Sequence, residues 1–180
     1  MRKSKSDGKD MLKYVAFHEA GHAVAYCYFF NGPRFKHVTI KPKGSALGHV
    51  LGRPSIWRPD EDTGVRFFVR LRDRIIRTLA GPEAERKVRG RYNQRGASDD
   101  WKSVADLVFH MAGSERQVNA LMRYFDVVTE EFIEFRWHKI EAVASALLER
   151  TTLSYKEVEQ ILCPGLDQIP EIVTIASSIE

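Results

Sequence analysis

The 180-residue sequence contains only two cysteines and no long apolar run. Cys27 and Cys163 are too few for a disulfide framework or a cysteine-based zinc site, so we expect a reducing compartment and predict a cytoplasmic location. The longest apolar run, residues 23–30, is too short to cross a bilayer, and no stretch has the pattern of a secretory signal. The sequence therefore predicts no membrane segment and no secretion.

Phosphate-binding loops of the G-x-x-x-x-G-K-S/T type are missing too, so we expect no ATP site in this chain. The net charge of +4 is a small excess of basic residues. Four arginines fall near one face of a predicted helix: Arg66, Arg70, Arg74 and Arg77. Acidic residues are interleaved with them and no nucleic-acid motif accompanies them. We predict a solvated face and no nucleic-acid partner.

Composition and periodicity indicate one globular, mainly helical domain. Hydrophobic residues make up 43% of the chain and charged residues 29%. We predict a flexible tail over residues 1–10, one domain over 11–163 and a C-terminal extension over 164–180. The first predicted elements are a helix over 11–30 capped by Asp10 and paired antiparallel strands over 35–41 and 46–51. A helix to Gly81 follows, which Pro82 kinks or restarts as 82–89, and then a helix from the N-cap Ser98 to Met111. The last two are a long core helix from Val118 through Phe135 to Leu147 and a short helix from a capping box at Ser154 to Leu162.

One motif carries chemistry, the H-E-A-G-H sequence of residues 18–22. Positions four apart lie on the same face of a helix, so His18 and His22 can direct two nitrogens at one point, as tetrahedral zinc requires. Glu19 lies about 100° further round the helix, within reach of a water as a general base. Gly21 is a poor helix former, which indicates a close backbone approach. The surrounding residues are small or apolar, so these polar groups need a partner, and a metal ion supplies one.

A catalytic zinc usually takes three protein ligands and one water, so one further donor is needed. Extended motifs do not supply it, because Ala25 occupies the glycine position that a metzincin motif requires and no downstream E-x-x-x-D signature is present. The remaining candidates are His37, His49, His110, His138, Glu83, Glu85, Asp99 and Asp100. The residue types alone leave the choice open.

Five short patterns in order resemble the peptidase domain of the FtsH family of ATP-dependent zinc metalloproteases. They are H-E-A-G-H-A at 18–23, V-T-I-K-P at 38–42, A-L-G at 46–48, L-A-G-x-x-A-E at 79–85 and G-A-S-D-D at 96–100, within a likeness that runs from Tyr14 to Leu162. In that family the third zinc ligand is the aspartate that closes a Gly-Ala-x-Asn-Asp pattern. The resemblance therefore implies Asp100 as the third ligand beside His18 and His22, with Glu85 as the alternative.

The chain departs from the family pattern in three ways. Family members carry membrane helices and an AAA ATPase module ahead of this domain, and we expect no counterpart of either here. Where the family has Gly-Arg-x-Ala-Glu-Glu, this sequence has Gly-Pro-Glu-Ala-Glu-Arg at residues 81–86. Asp99 also replaces the usual asparagine of the aspartate motif.

The resemblance implies a mainly α, FtsH-type zinc metallopeptidase domain over residues 11–163, with a small antiparallel β element beside the H-E-x-x-H helix and one Zn²⁺ per chain. Glu19 is then the catalytic residue of an endopeptidase acting on unfolded or flexible polypeptides. Segment 46–50 is expected to hold an extended peptide by strand addition, and His49 is the candidate second oxyanion donor. A partner ATPase or a homo-oligomer is the assembly that the family suggests. The alternative is a metal-binding but catalytically silent regulatory or assembly module.

Overall fold

A computed structural model describes residues 5–29, 35–42, 47–52, 59, 64, 66–93 and 97–164. Its elements are α1 (Lys5–Tyr28), β1 (Phe35–Thr39), β2 (His49–Gly52), α2 (Phe67–Arg89), α3 (Ser98–Phe109), α4 (Glu115–Phe135), α5 (Trp137–Arg150), β3 (Thr152–Ser154) and α6 (Tyr155–Leu162). The predicted class, mainly α with a small antiparallel sheet, is confirmed. None of the helices in this part of the chain is long and apolar enough to cross a bilayer.

Helix α1 is longer at its start than the sequence suggested. It begins at Lys5, so residues 5–10 of the predicted tail are helical and Asp10 lies inside the helix instead of capping it. Extending a formed helix by a polar turn is far easier than nucleating one, and the long apolar segment that follows supplies the nucleus. The helix ends at Tyr28, and residues 1–4 and the predicted stop at 31–33 lie outside the described residues.

Helix α1 packs antiparallel against α2 in a regular register. Each step of four residues along α1 meets a step of four residues back along α2. In order along α1, the contacts are the Tyr14 ring with the Arg89 guanidinium at 4.1 Å, the His18 imidazole with the Glu85 carboxylate at 3.1 Å, and the Tyr26 ring with the Arg77 guanidinium at 4.8 Å. The motif histidines therefore lie midway along a helix pair that a cation–π contact braces at each end.

The close backbone approach predicted at Gly21 is confirmed. A Cβ atom at this position would overlap the carbonyl oxygen of Ala80 and lie 2.8 Å from the Cβ of Ala84. Small residues on both helices thus let the axes come close enough for side chains of α2 to reach the histidines. The prediction that Arg77 belongs to a solvated face is wrong, because Arg77 is only 8% exposed.

Helix α2 runs through Pro82 without a second helix starting there, contrary to the predicted restart. A proline inside a helix removes one donor to the carbonyl four residues earlier, and burial of residues 79–85 against α1 outweighs this local cost. The helix ends as predicted at Gly90, which adopts the left-handed conformation with φ 75°.

The predicted long core helix is two helices. Arg136 interrupts it with φ −114° and ψ 15°, and its guanidinium lies 4.1 Å from the Tyr28 ring centre and 4.8 Å from that of Phe132. The break turns α5 back to pack along α1. Phe135, predicted to be core, ends α4 at 83% exposure.

The sheet has three antiparallel strands in the order β2-β1-β3. The pairing of β1 with β2 was predicted, although Ala46 lies outside the described residues. Strand β3 was not predicted, because three residues are too few to show alternation. The Thr39 hydroxyl lies 2.7 Å from that of Thr152 and joins β1 to β3. The capping box predicted between Ser154 and Glu157 at the start of α6 is confirmed.

Candidate metal centre

Three side chains from distant parts of the chain converge beside the α1–α2 contact. The Nε2 atoms of His18 and His22 lie 3.1 Å apart, and the Oδ2 atom of Asp100 lies 3.5 and 3.9 Å from them respectively. Ligands about 2.0–2.1 Å from a tetrahedral zinc lie roughly 3.3–3.4 Å from one another. Within the described residues, this trio is the group of histidine, cysteine and carboxylate side chains arranged to hold a metal ion.

The Nδ1 atom of each histidine, its outer nitrogen, is hydrogen-bonded to another group, which leaves Nε2, the inner nitrogen, available to a metal. Nδ1 of His22 donates to the backbone carbonyl oxygen of Arg77 at 2.8 Å, and Nδ1 of His18 donates to Oε2 of Glu85 at 3.1 Å. A neutral imidazole that donates from Nδ1 carries a lone pair on Nε2. When both imidazoles are neutral, two lone pairs and a carboxylate oxygen therefore face one another, and a cation is what such an arrangement stabilises.

The charges around the trio favour a cation as well. Burial opposes charge on His18, but hydrogen bonds with Asp100 and Glu85 outweigh it and raise the pKa of His18 to about 10. Burial, together with the charge on His18, lowers the pKa of His22. Burial also opposes ionisation of Asp100, yet its hydrogen bond with His18 keeps the pKa of Asp100 below the usual value. The site thus holds its carboxylate ionised and attracts one positive charge even without a metal.

Asp100 reaches the histidines because the connection between α2 and α3 is held at several points. The Asn93 side chain donates to Oε1 of Glu85 at 3.0 Å, and the backbone carbonyl of Asn93 accepts from the backbone N–H of Ala97 at 3.0 Å. Ala97, not the predicted Ser98, is the N-cap residue of α3. Asp100 lies in the first turn as predicted, where the helix dipole also favours an ionised carboxylate.

Glu19 is buried next to this group. Only 5% of the residue is exposed, and its Oε2 atom has no hydrogen-bond partner within the described residues. Burial raises the pKa of Glu19 to about 7. A bound dication would lower this pKa again by direct attraction. A buried carboxylate oxygen without a partner is costly, and such groups occur where function requires them.

Gly48 places the chain entering β2 directly against Glu19. A Cβ atom here would lie 2.8 Å from both Cγ and Oε1 of Glu19, and 2.9 Å from the carbonyl oxygen of Thr39. Because Gly48 has no side chain, its backbone can pack directly against Glu19, the candidate catalytic residue. Sequence reasoning noted Gly48 only as part of the A-L-G resemblance and gave it no role.

Glu85 lies outside the trio and supports it. One oxygen accepts from His18, while the other is 2.7 Å from the Arg89 guanidinium and accepts from Asn93. Burial would raise the pKa of Glu85, but these partners hold it below the usual value. Glu85 thus orients an imidazole, and so does the Arg77 carbonyl. No sequence signal could have found the carbonyl, since every residue has one.

The other candidate ligands lie elsewhere. His49 is on β2, with its ring centre 5.8 Å from that of His37 on the neighbouring strand. Glu83 bonds Arg86 at 2.7 Å and also accepts from Tyr92. His110, His138 and Asp99 are exposed. None of them joins the trio.

Gly81 lies against the Nε2 edge of the His22 ring. A Cβ atom at this position would overlap Nε2 of His22. We expect Gly81→Ala to weaken zinc binding by about 10- to 100-fold, the range typical of disturbed ligand support. Competition with a chromogenic chelator measures this. Gly113→Ala is the matched control, because its Cβ would meet only Gln117 at 3.4 Å. A folded Gly81→Ala variant with unchanged zinc affinity would contradict the geometry.

Comparison with known proteins adds evidence on the family of this chain. The family model of peptidase family M41 matches residues 7–114. ATP-dependent zinc metalloprotease FtsH 1 of Symbiobacterium thermophilum is 32% identical over 173 residues, covering 82% of this chain and 28% of the relative. ATP-dependent zinc metalloprotease FtsH of Caulobacter vibrioides is 27% identical over 176 residues, covering 96% and 27%. FTSH 11 of Arabidopsis thaliana is 26% identical over 188 residues, covering 91% and 23%.

Proposed function

This chain belongs to peptidase family M41, and on that premise we propose that it is a zinc-dependent endopeptidase. The resemblance to an FtsH-type peptidase domain, drawn first from five short patterns, is confirmed by the relatives. The observation that carries the proposal is the convergence of two imidazole Nε2 atoms and one carboxylate oxygen beside a buried glutamate. That combination is typical of metal-assisted hydrolysis.

In this proposal His18, His22 and Asp100 hold one Zn²⁺. A zinc ion in such a site lowers the pKa of water and polarises a carbonyl group. Glu19 accepts the proton of the attacking water and returns it to the leaving amide nitrogen. Glu85 and the Arg77 carbonyl keep both imidazoles oriented with Nε2 facing inward, so the ligand nitrogens need no rearrangement.

Peptide is proposed to bind along β2. This strand pairs with β1 on one side only, and its other edge is free of pairing within the described sheet. An extended polypeptide can add to such an edge through backbone hydrogen bonds. Gly48 brings the start of this strand against Glu19, so a peptide on the edge would pass the catalytic group. Unfolded or flexible polypeptides are the substrate class that fits. His49 remains a candidate second oxyanion donor.

The chain spans about a quarter of the length of the curated relatives it matches. Their names describe ATP-dependent enzymes, and we propose that any ATP-driven delivery of substrate to this chain uses a partner ATPase. A homo-oligomer is the other assembly that we propose. We also propose a cytoplasmic location, which fits the two free cysteines.

Chelation tests the proposal. We expect cleavage of denatured casein to fall to background after dialysis against a strong chelator, and to return with one equivalent of zinc. The melting temperature should fall and recover in parallel, because a ligand that binds only the folded state stabilises it. The rival, a catalytically silent metal-binding module, predicts the same thermal shift without cleavage at any zinc level. Chelator-resistant cleavage would contradict both.

A further inference from the structure

Helix α4 is apolar on two sides. Its inner side contributes Phe125, Phe132 and Ile133 to the core. Its outer side exposes apolar residues as well: Tyr124 at 53%, Val127 at 52% and Phe135 at 83%. A helix on the surface of a domain normally presents polar residues to solvent. A row of large exposed side chains on one helix therefore indicates a surface that another element covers.

The outer residues share one face. Positions 120, 124, 127, 131 and 135 follow one another at steps of three or four residues, the spacing that aligns side chains along a helix. Ala120 and Glu131 are exposed like the three larger residues. The row extends over 16 of the 21 residues of α4. The same spacing forms the contact seam of paired helices.

Charge on this face is segregated along the helix. Arg123 lies in its first half and Glu131 in its second half, and both are exposed. Glu134, also in the second half, is already paired with Lys87 of α2 at 3.5 Å. A second α4 in the reverse direction would set the basic half of each copy beside the acidic half of the other. A parallel copy would set like charges together, which is unfavourable.

The spacing of residues about Val127 suits such a reversed pair. Arg123 and Glu131 lie four residues before and after Val127, so a two-fold axis at Val127 places each arginine beside the partner's glutamate. Ala120 lies seven residues before and Phe135 eight residues after, about 10.5 and 12 Å from the axis at 1.5 Å per residue. The small residue of one copy would thus face the most exposed aromatic side chain of the other.

We propose that the outer face of α4, defined as Ala120, Arg123, Tyr124, Val127, Glu131 and Phe135, docks a second copy of this chain in an antiparallel, two-fold symmetric arrangement. The interface is self-complementary, as two-fold contacts are. A single helix-on-helix contact is smaller than the roughly 1,200–2,000 Å² of stable interfaces, so the dimer forms reversibly at micromolar concentration. The proposal does not depend on peptidase activity.

Sedimentation velocity of the full chain over the micromolar range tests this docking. We expect concentration-dependent dimers, and we expect Val127→Asp to weaken dimerisation at least about tenfold, equivalent to about 1.4 kcal/mol. Phe68→Asp is the matched control, since Phe68 is 59% exposed but lies on α2. Circular dichroism verifies that both variants are folded. The proposal is overturned if the chain stays monomeric, or if Val127→Asp leaves its dimerisation unchanged. Another protein or residues 165–180 would then be the occupant of this face.

Charge reversal tests the antiparallel direction. Arg123→Glu and Glu131→Arg should each weaken dimerisation, because each places like charges at both ends of the symmetric contact. The double variant should restore it. An equimolar mixture of the two single variants should also dimerise, since each of its arginines again meets a glutamate. Failure of the double variant and of the mixture to recover would overturn the antiparallel arrangement.

Discussion

Glu19→Gln is expected to lower the rate of casein cleavage by roughly 10²- to 10⁴-fold, the contribution typical of a general base. Glutamine keeps the shape of the side chain but cannot accept a proton from water. Glu19 is not one of the converging ligands, so zinc content should stay near one per chain. The loss should therefore appear in kcat at constant metal occupancy.

A matched control shows whether the charge or the site matters. Glu141→Gln makes the same chemical change at an exposed position of α5 and should leave cleavage and zinc content unchanged. A Glu19→Gln variant that is folded, fully loaded with zinc and as active as the wild type would contradict the proposed role. In that case the chain would act through a different base or the activity would belong to a contaminant.

The H-E-x-x-H half of the site was readable from sequence because its geometry is local. Four residues on a helix bring His18 and His22 to one face whatever the rest of the fold does. The poor helix propensity of Gly21 likewise foretold a close neighbour, and the structure identifies it as the Ala80 carbonyl. Local physics was enough for both predictions.

The proposed third ligand could not be predicted from local geometry. Asp100 lies far along the chain, and eight residues could have met the histidines until the resemblance singled it out. What brings it close is tertiary, namely the α1–α2 register and the Asn93 contact that joins Glu85 to the turn before α3. Hydrophobic periodicity contains no information about such contacts.

Two errors have the same origin. Arg77 looked solvated because its spacing matched exposed arginines, but the Tyr26 ring covers it. Phe135 looked like core because it continued the periodicity of α4, but the break at Arg136 turned the chain before the residue could be buried. The burial of each residue depends on which other element packs against it, whereas the hydrophobic period shows only which face of the helix the residue is on.

Asp100→Ala is expected to abolish high-affinity zinc binding. It removes one of the three proposed ligands and leaves two imidazole nitrogens 3.1 Å apart without the Asp100 carboxylate. The loss of affinity should exceed the roughly 10- to 100-fold typical of changes beyond the ligand shell. Cleavage should disappear with the metal, and added zinc at moderate excess should not restore it.

Glu85→Gln is the companion variant. Its carboxylate contacts the outer nitrogen of His18, Nδ1, and not Nε2. Zinc binding should therefore weaken within that 10- to 100-fold range, and stoichiometric zinc should remain under saturating conditions. The variant that loses more zinc affinity therefore identifies the ligand, and the variant that loses less identifies the residue that orients a ligand.

Zinc content per folded chain, measured by elemental analysis on wild type, Asp100→Ala and Glu85→Gln after identical loading and desalting, tests the metal centre most directly. The structure predicts about one zinc in the wild type and in Glu85→Gln, and close to none in Asp100→Ala. Stoichiometric zinc in Asp100→Ala together with its loss in Glu85→Gln would contradict this assignment and make Glu85 the third ligand.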